Sequence, residues 1–439
     1  MMNRCIILLS LTLLLHTRPF AQDTLTLDEA IATALHNNYD ILLSKEDSAI
    51  AAINYEYRNA VFYPRLNAGA TILFNNNATR QRLADGTERK SSGVHTANLS
   101  SALNLNWTLF DGFKMFILRD QLEQSRRMGN LLIKEQVINT VSQVIGTYYD
   151  IARQRQQLRN LDEQLQLVQD RLRLAQYKLD IGTGIKPDVL QAQIDVNNTA
   201  AGRLNQLSLI DQRKQTLNAL MNVPRDINYE VQDTIPVDVR IVLGDLLNGL
   251  DETNPSLQIA KANIDIAELK IRSAKASRFP TVSLISAYNF SRVSNNTAVN
   301  PFTPLFNMNR GWNYGLTATI PILNNFTVKQ QIRQAELAMT YQQLRYQSQQ
   351  SLITTGLMNS YRNYQAQQEV LRITESNVAL ARENLNIERE RYRLGRTTFI
   401  ELRQAEENVA TAITNLINAR YNFKVAETEL LRLRGDLVR

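Results

Sequence analysis

The stretch LNLNWTLFDG (residues 103–112) alternates apolar and polar side chains. The apolar side chains belong to Leu103, Leu105, Trp107 and Leu109, and the polar ones between them belong to Asn104, Asn106 and Thr108. A period of two indicates a β-strand with one apolar and one polar face. The roughly seventy residues that follow have the spacing of one long helix. The sequence therefore raises the question of which solvent the apolar face of this strand meets.

Three further segments, 66–75, 282–291 and 312–322, show the same alternation and contain no charged residue. A tilted strand needs ~9–11 residues to cross a membrane, and each of these runs is long enough. Aromatic residues near the ends of the runs are typical of the interfacial girdles of membrane strands. We therefore expect an apolar face in contact with lipid, which includes Leu105, Trp107, Trp312 and Leu316.

The segments between the paired strands, 76–96 and 293–311, are expected to be loops because they are rich in Asn, Thr and Gly. The four strands cannot form a closed barrel by themselves, because small natural barrels begin at about eight strands. Backbone groups in lipid must be paired, so a membrane sheet has no free edge. Several copies must then contribute: two give eight strands and three give twelve. A soluble sandwich would need a second sheet to cover the apolar face.

An internal repeat organises the chain. NNYDILLSKEDSAIAAIN (37–54) matches TNPSLQIAKANIDIAELK (253–270), and YKLDIGTGIKPDVLQAQ (177–193) matches YRLGRTTFIELRQAE (392–406). Each copy reads as helix, strand, loop, strand, very long helix, turn and helix. The sequence thus predicts a signal peptide at 1–21, a first repeat at 22–225, a linker at 226–243 that holds a short strand, and a second repeat at 244–439.

The long helices carry coiled-coil seams. The segments from about residue 114 to 179 and from about 327 to 394 contain no proline, and each would measure ~100 Å at ~1.5 Å per residue. Apolar residues in the last helix alternate by three and four, which is the seam of a coiled coil. The segment before Leu394 carries two heptad series side by side: Leu371, Val378, Leu385 and Tyr392 in one, and Ile373, Leu380, Ile387 and Leu394 in the other. A helix with two seams can contact two neighbours, as a ring of helices requires; the alternative is one broad stripe that faces a core.

Composition argues against enzymatic chemistry. Cys5 is the only cysteine and lies in the predicted signal peptide, whose apolar run, Ile6–Leu15, is too short for a membrane anchor. The histidines are isolated, and no metal-ligand cluster, catalytic triad or phosphate loop is present in the sequence. We expect no catalytic residue, no cofactor and no metal site. The formal net charge is +7, and the basic patch RQRQQLR (153–159) is interpreted as a solvated helix face rather than a nucleic-acid site.

These features together resemble the TolC-like outer-membrane efflux protein family over essentially all of residues 24–439. The resemblance rests on LTLDEAIATALHNNYDI (25–41), IGTGIKPDVLQAQ (181–193) and YRLGRTTFIELRQA (392–405). It implies an α+β membrane protein in which three chains complete a twelve-stranded transmembrane β-barrel above a long antiparallel α-helical barrel. It further implies a passive exit duct for efflux or secretion in the outer membrane of a Gram-negative-type cell. The helical part would lie in the periplasm, where an adaptor (membrane fusion) protein would join it to an inner-membrane pump.

The resemblance also implies a gate at the periplasmic end. There, the family's tyrosine and aspartate that bond one another correspond to Tyr392 and Asp188. The positions of the family's acidic ring correspond to Glu401 and Gln404, and that of its arginine to Thr397, with Arg396 beside it. The helix-reversing turns would dock the adaptor at Gly182, Gly184 and Gly395.

One alternative function stays open at this point: a secreted, self-associating coiled-coil scaffold without channel activity. It accounts for the heptads but not for four uncharged amphipathic strands placed symmetrically in a repeat. The exported substrate and the class of pump are not encoded in this chain.

Overall fold

The computed structural model describes residues 24–224, 229–237, 241–298, 302 and 304–438. The predicted signal peptide, 1–21, lies outside the described residues. The helices and strands follow one another as β1 (Thr24–Leu25), α1 (Leu27–Asn37), α2 (Tyr39–Glu56), β2 (Arg65–Arg82), β3 (Glu88–Phe110), α3 (Lys114–Asp180), α4 (Lys186–Met221), β4 (Glu230–Val231), α5 (Leu243–Leu247), α6 (Leu250–Thr253), α7 (Pro255–Ala276), β5 (Thr281–Asn295), β6 (Phe306–Thr319), α8 (Thr327–Arg393) and α9 (Phe399–Arg434).

The chain divides into two compact units. The helical unit comprises the described residues up to Ser48, Gly129–Ile259 and the residues from Gln347 onward, and the sheet unit comprises Ala49–Met128 and Ala260–Tyr346. Each unit takes segments from both halves of the sequence. The long helices α3 and α8 both have 67 residues, and the helices that follow them, α4 and α9, both have 36. Equal lengths in corresponding places are what a duplicated unit produces.

The sheet unit contains an antiparallel four-stranded sheet in the order β2-β3-β5-β6. Leu105 of β3 lies opposite Leu66 on one side and Ser286 on the other. Residues that lie directly opposite one another in an antiparallel ladder point to the same face. By this register the four residues expected to contact lipid share one face: Leu105, Trp107, Trp312 and Leu316.

The other face of the sheet is polar. Asn67, Asn104 and Asn313 lie in one row across the strands, joined through Ala287. The side-chain amide of Asn313 accepts a hydrogen bond from the backbone N–H of Ala287, 3.0 Å. The alternation seen in the sequence is thus an alternation of two faces of one sheet.

The predicted loop segments are wrong in extent. Segment 76–96 is mostly strand, because β2 continues to Arg82 and β3 begins at Glu88. The backbone ladder continues here without apolar alternation, and Arg80 pairs with Glu88 across the strands, 2.9 Å. The second predicted loop, 293–311, likewise gives residues to β5 and β6 at its two ends.

The last predicted strand is too long at its C-terminal end. β6 stops at Thr319, so Ile320 and Ile322 lie beyond it and are exposed. Pro321 has no backbone N–H, so it cannot donate to a ladder. In the sequence, apolar residues therefore keep alternating beyond Thr319, although the strand ends there.

The connection between β3 and α3 depends on the dipeptide Asp111-Gly112. Gly112 has φ +75°, and a Cβ there would lie 2.9 Å from Cβ of Phe279 and closer still to the carbonyl oxygen of Ala276. Only glycine fits both the left-handed backbone and the close approach. Asp111 accepts a hydrogen bond from the backbone N–H of Met115, 3.2 Å, and so caps the start of the long helix.

The core of the helical unit surrounds a small parallel sheet of β1 and β4. β4 is the short strand expected in the linker. Tyr148 of α3 is fully buried; its hydroxyl donates to the carbonyl of Leu25 (2.8 Å) and accepts from the backbone N–H of Gln232 (3.2 Å). One side chain thereby bonds β1 and the residue that follows β4, which fixes the linker to the first repeat.

The basic patch at 153–159 has a structural role. Arg155 forms ion pairs with Glu230 (2.7 Å) and Asp233 (3.2 Å), and Arg159 pairs with Asp233 (2.5 Å). The interpretation of this patch as a solvated helix face is wrong for Arg155, which is partly buried and ion-paired. Sequence spacing does not show that an acidic segment some seventy residues later packs against it.

Candidate functional site

The two turns that reverse the long helices form the first part of the site. Gly182 follows α3 with φ +77°, and Gly395 follows α8 with φ +69°. In the second turn the backbone N–H of Arg396 reaches the carbonyl of Arg391, 2.8 Å. This is the Schellman end of a helix, in which glycine takes the left-handed position. Both predicted glycines therefore reverse the chain because of their backbone conformation.

Gly184 is needed for a different reason. Its φ is not in the left-handed region, but a Cβ there would lie 2.9 Å from the backbone of Leu179 and of Lys178. The first turn also closes on Lys178, whose carbonyl accepts from the backbone N–H of Thr183 (2.9 Å) and of Gly184 (2.8 Å). The first turn therefore leaves no room for a side chain at Gly184.

Asp188 and Glu401 occupy equivalent positions. Each is the third residue of the helix that leaves its turn, α4 or α9. A carboxylate in the first turn of a helix interacts favourably with the positive end of the helix dipole. Two of the residues predicted for the gate are thus related by the internal repeat.

Glu401 closes a capping box at the start of α9. Its carboxylate accepts from the backbone N–H of Thr398 (2.8 Å) and from the hydroxyl of Thr397 (2.5 Å), and the Thr398 hydroxyl accepts from its backbone N–H (3.2 Å). The hydroxyl of Thr397 and the groups of Thr398 lower the pKa of the exposed Glu401 carboxyl to about 2. Glu401 is therefore ionised throughout the physiological pH range and held in place by its cap.

Tyr392 is buried where the long helices meet. It is 4% exposed and packs in a cluster of apolar residues from α3, α4, α8 and α9. The ammonium group of Lys178 lies 3.7 Å from the centre of its ring and donates to its carbonyl, 3.1 Å. Burial, reinforced by the negative charge of Asp188, raises the pKa of Tyr392. Among the described residues no hydrogen bond joins its hydroxyl to Asp188.

The remaining predicted gate residues lie at the second turn and in the helix after it. The carbonyl of Arg396 accepts a long hydrogen bond from the Arg391 guanidinium, 3.5 Å. Gln404 is exposed on α9 and donates to Asn408 one turn later, 3.1 Å. Hydrogen bonds therefore join Thr397 to Glu401, whereas Arg396 contacts Arg391 and Gln404 contacts Asn408.

A buried cluster of charges was not found from the sequence. Arg171 of α3 has a side chain only 2% exposed; its guanidinium contacts Asp195 of α4 and Glu406 of α9, each at 2.5 Å. Arg403 adds a second contact to Asp195, 3.1 Å. One guanidinium thus joins three helices in surroundings where an unpaired charge would be costly. Arg171 lies beside a heptad seam, where an arginine ordinarily reaches solvent, so spacing gave no signal.

Glu406 has an unusual acidity within this cluster. Burial raises the pKa of its carboxyl to about 7, the positive charges of Arg171 and Arg389 offset part of that rise, and the carboxylate of Asp195 adds to it. Glu406 consequently exchanges its proton near neutral pH, whereas Glu401 does not.

The two heptad series of α8 have different surroundings. Leu371, Leu385 and Tyr392 of the first series are buried within the chain. The second series is exposed along its length, with exposed fractions of 46% for Ile373, 62% for Leu380, 52% for Ile387 and 62% for Leu394. One apolar seam of α8 therefore has no partner in the described part of this chain.

The described residues hold no group of three or more histidine, cysteine, aspartate or glutamate side chains placed to bind a metal ion. None of the helices in the described ranges is long and apolar enough to cross a membrane.

The sequence profile of a family described as outer membrane efflux protein matches residues 30–223 and 246–436. The chain belongs to the outer membrane efflux protein family. The two matched segments fall in the two predicted repeats, on either side of the linker. The chain is accordingly an efflux channel protein of the outer membrane, and it is a passive channel and not an enzyme.

Individual relatives are distant in sequence and similar in fold. The outer membrane protein TolC of Escherichia coli strain K12 is 22% identical over 373 residues, which cover 82% of this chain and 71% of TolC. The solved structure of VceC from Vibrio cholerae is 17% identical, with a TM-score of 0.75 over 93% of this chain and 96% of VceC. The CmeC channel of Campylobacter jejuni is 16% identical, with a TM-score of 0.77 over 93% and 85% of the respective chains. At these identities the structural likeness establishes the shared fold of a helical barrel and a β-domain.

Titration of Glu406 should make the stability of the protein depend on pH. Because its folded pKa of about 7 lies above the unfolded value, its contribution is full below about pH 4.5 and is lost as the pH rises through 7. We expect the melting temperature of the wild type to fall between pH 5 and pH 8 relative to Glu406→Gln. The free-energy difference is about 3 kcal/mol at most.

Circular dichroism at several pH values in one detergent measures this difference. Glu407→Gln, which neutralises the neighbouring exposed carboxylate, is the matched control and should keep the wild-type pH dependence. Parallel melting curves for wild type and Glu406→Gln would show that the Glu406 carboxyl does not titrate in this range.

Proposed function

We propose that three copies of this chain form the outer-membrane exit duct of a tripartite export system. In this proposal a periplasmic adaptor protein joins the duct to an inner-membrane pump that supplies the energy. The observation that carries it is the sheet of β2, β3, β5 and β6, which has one apolar face, one polar face and two unpaired edges. The signal peptide at 1–21 is removed on export, and the repeats at 22–225 and 244–439 each supply two strands and their share of the helical tube.

The edges of the sheet support a trimer. β2 and β6 each pair on one side only, and they run for 18 and 14 residues. Backbone groups in lipid need partners, so β6 of one chain pairs with β2 of the next. Three chains give a closed barrel of twelve strands, which leaves room for a duct.

The faces of the sheet divide between lipid and water. The apolar face, with Leu105, Trp107, Trp312 and Leu316, contacts outer-membrane lipid. The indole N–H groups are satisfied within the chain, because Trp107 donates to the carbonyl of Phe62 (2.8 Å) and Trp312 to the hydroxyl of Ser286 (2.7 Å). Both tryptophans can therefore turn toward lipid without an unpaired donor. The asparagine-rich face lines the duct.

The turns at Gly182, Gly184 and Gly395 form the tip that contacts the adaptor, and the residues above them hold the tunnel closed. Tyr392 and Lys178 join the ends of α8 and α3, and the Arg171 cluster joins α3, α4 and α9 further along. Glu401 supplies one fixed negative charge per chain near the tip, whereas Gln404 is neutral. The constriction is therefore less acidic than a ring that has a carboxylate at both positions.

The exposed seam of α8 should be a contact between chains. In detergent we expect the wild type to have three times the mass of the mature chain. Leu380→Lys places an ammonium group in that contact and removes the burial of a leucine, worth ~1.5–3 kcal/mol per site, so it should shift the protein toward monomers.

Light scattering coupled to size-exclusion chromatography gives these masses. Asn386→Lys, an exposed position off the seam, should remain trimeric. A stable wild-type monomer, or equal dissociation of both variants, would contradict the assignment of the seam.

The ring of Tyr392, rather than its hydroxyl, should hold the closed state. Tyr392→Ala removes the contact with the Lys178 ammonium, worth ~0.5–2 kcal/mol in each chain, and should raise single-channel conductance in planar bilayers. Tyr392→Phe keeps the ring and should conduct like the wild type. An equal rise in conductance for Tyr392→Phe would instead assign the closing interaction to the hydroxyl and Asp188.

Contact between the tip and the adaptor can be tested by site-directed cross-linking. After removal of the signal peptide the chain has no cysteine, because Cys5 is the only one. Thr183→Cys and Arg396→Cys, one at each turn, should cross-link to the adaptor in cells, and Lys261→Cys on α7 should not. The same yield at all three positions would argue against docking at the turns.

A further inference from the structure

Two arginines lie on the apolar face of the sheet. Arg292 of β5 lies opposite Leu99 and Met308, and Arg310 of β6 lies opposite Phe290. The register places them on the same face as Trp312 and Leu316. Both are exposed, and within the described residues neither forms an ion pair. Charges on a face built mainly of aliphatic and aromatic side chains need a partner, because a charge in apolar surroundings is unstable without one.

The two arginines are diagonal neighbours. Met308 lies opposite Arg292, and Arg310 is two residues further along the same strand as Met308. Diagonal positions in an antiparallel sheet are ~7–8 Å apart, within reach of long side chains. The guanidinium carbon of Arg292 lies 5.3 Å from the centre of the Phe306 ring, which orients it. The pair can therefore act on one ligand.

The chain supplies no counter-charge for them. Glu88 is the only acidic residue in the four strands, and it already pairs with Arg80. From Leu269 to Ala335 the sequence contains no aspartate or glutamate at all. β2 has no acidic residue either, so a neighbouring copy that pairs its β2 with this β6 would not supply one. The four strands and the segment from Leu269 to Ala335 therefore supply no free carboxylate for this pair.

The depth of the pair suits a lipid headgroup. On the apolar face, Leu316 and Phe306 lie ten residues apart on β6; at ~3.4 Å per residue and a tilt of ~40° this is about the ~25 Å height of a lipid-facing band. By the same measure, counted from Phe306 at the end of the sheet where β2 joins β3 and β5 joins β6 (the hairpin end), Arg292 and Arg310 lie roughly 5 and 10 Å inside the band. Arg292 is the nearer of the two to the interface, and the long side chain of Arg310 can extend toward it from the deeper position.

We propose that Arg292 and Arg310 together bind the phosphate group of an anionic lipid in the leaflet at the hairpin end of the sheet. Guanidinium groups match phosphate oxygens with paired, charge-assisted hydrogen bonds. The apolar surroundings, with Ile72, Phe290 and Met308, contact the acyl chains of the same lipid. This inference rests on the proposed contact of the apolar face with lipid.

The two tryptophans of the chain are built-in reporters, because both lie on the apolar face and Trp312 is two residues from Arg310. The intact trimer is reconstituted in phosphatidylcholine bilayers that contain either brominated phosphatidylcholine or brominated phosphatidic acid, and the quenching of tryptophan fluorescence is measured. We expect the wild type to favour the phosphatidic acid about five- to tenfold, since each arginine near a membrane surface adds several-fold attraction to anionic lipid.

The double variant Arg292→Gln, Arg310→Gln should lose this preference and still be quenched by both lipids. Arg65→Gln, which removes an arginine from the polar face, should keep the wild-type preference. Equal quenching of the wild type by both lipids, or an unchanged preference in the double variant, would overturn the proposed phosphate site while leaving the lipid contact intact. Absence of quenching by any brominated lipid would instead overturn the proposed contact of this face with lipid.

Discussion

Unpaired backbone groups at the two edges of the sheet are the constraint on which the rest of the molecule depends. β2 and β6 each present one side without a partner. In water such edges are a liability for aggregation, and in lipid they are untenable. Four strands cannot remove them by closing on themselves, so closure requires other copies. An apolar face that includes Leu105 and Leu316 and a polar face that includes Asn104 and Asn313 then acquire distinct surroundings, one outside and one inside the barrel.

Association through the sheet requires the helices of neighbouring chains to fit as well. α8 meets this requirement with two seams, one buried in its own chain and one exposed. The internal repeat gives the same construction twice, as the equal lengths of α3 and α8 and of α4 and α9 show. A chain built in this way is suited to a ring and has no need of a catalytic centre. The properties that matter for this protein are those of its surfaces: which are apolar, which are polar and which carry charge.

The charged groups near the turns of the long helices have two different forms. Glu401 is exposed and capped, and its lowered pKa keeps it ionised near neutral pH, so it contributes a fixed charge beside the second turn. Arg171, Asp195 and Glu406 form a buried cluster whose members come from three helices. A buried cluster of this kind is weak evidence for stability, but breaking it by removing one partner is costly. It therefore ties α3, α4 and α9 together in one arrangement.

The sequence by itself determined the strands, the long helices, the repeat and the family resemblance, because period-two and heptad patterns reflect local geometry. It also placed Gly182 and Gly395 at turns, since few other residues accept a left-handed backbone. It did not determine where the strands end: backbone pairing continues through 76–82 and 88–96 without apolar alternation, and β6 ends at Thr319 although the alternation continues beyond it. Only the tertiary structure brought Arg171 to Asp195 and Glu406, tied Arg155 to the linker, and separated the Tyr392 hydroxyl from a bond to Asp188. These contacts join residues that are distant in the chain, and local sequence spacing does not indicate which distant side chain will pair with a buried charge.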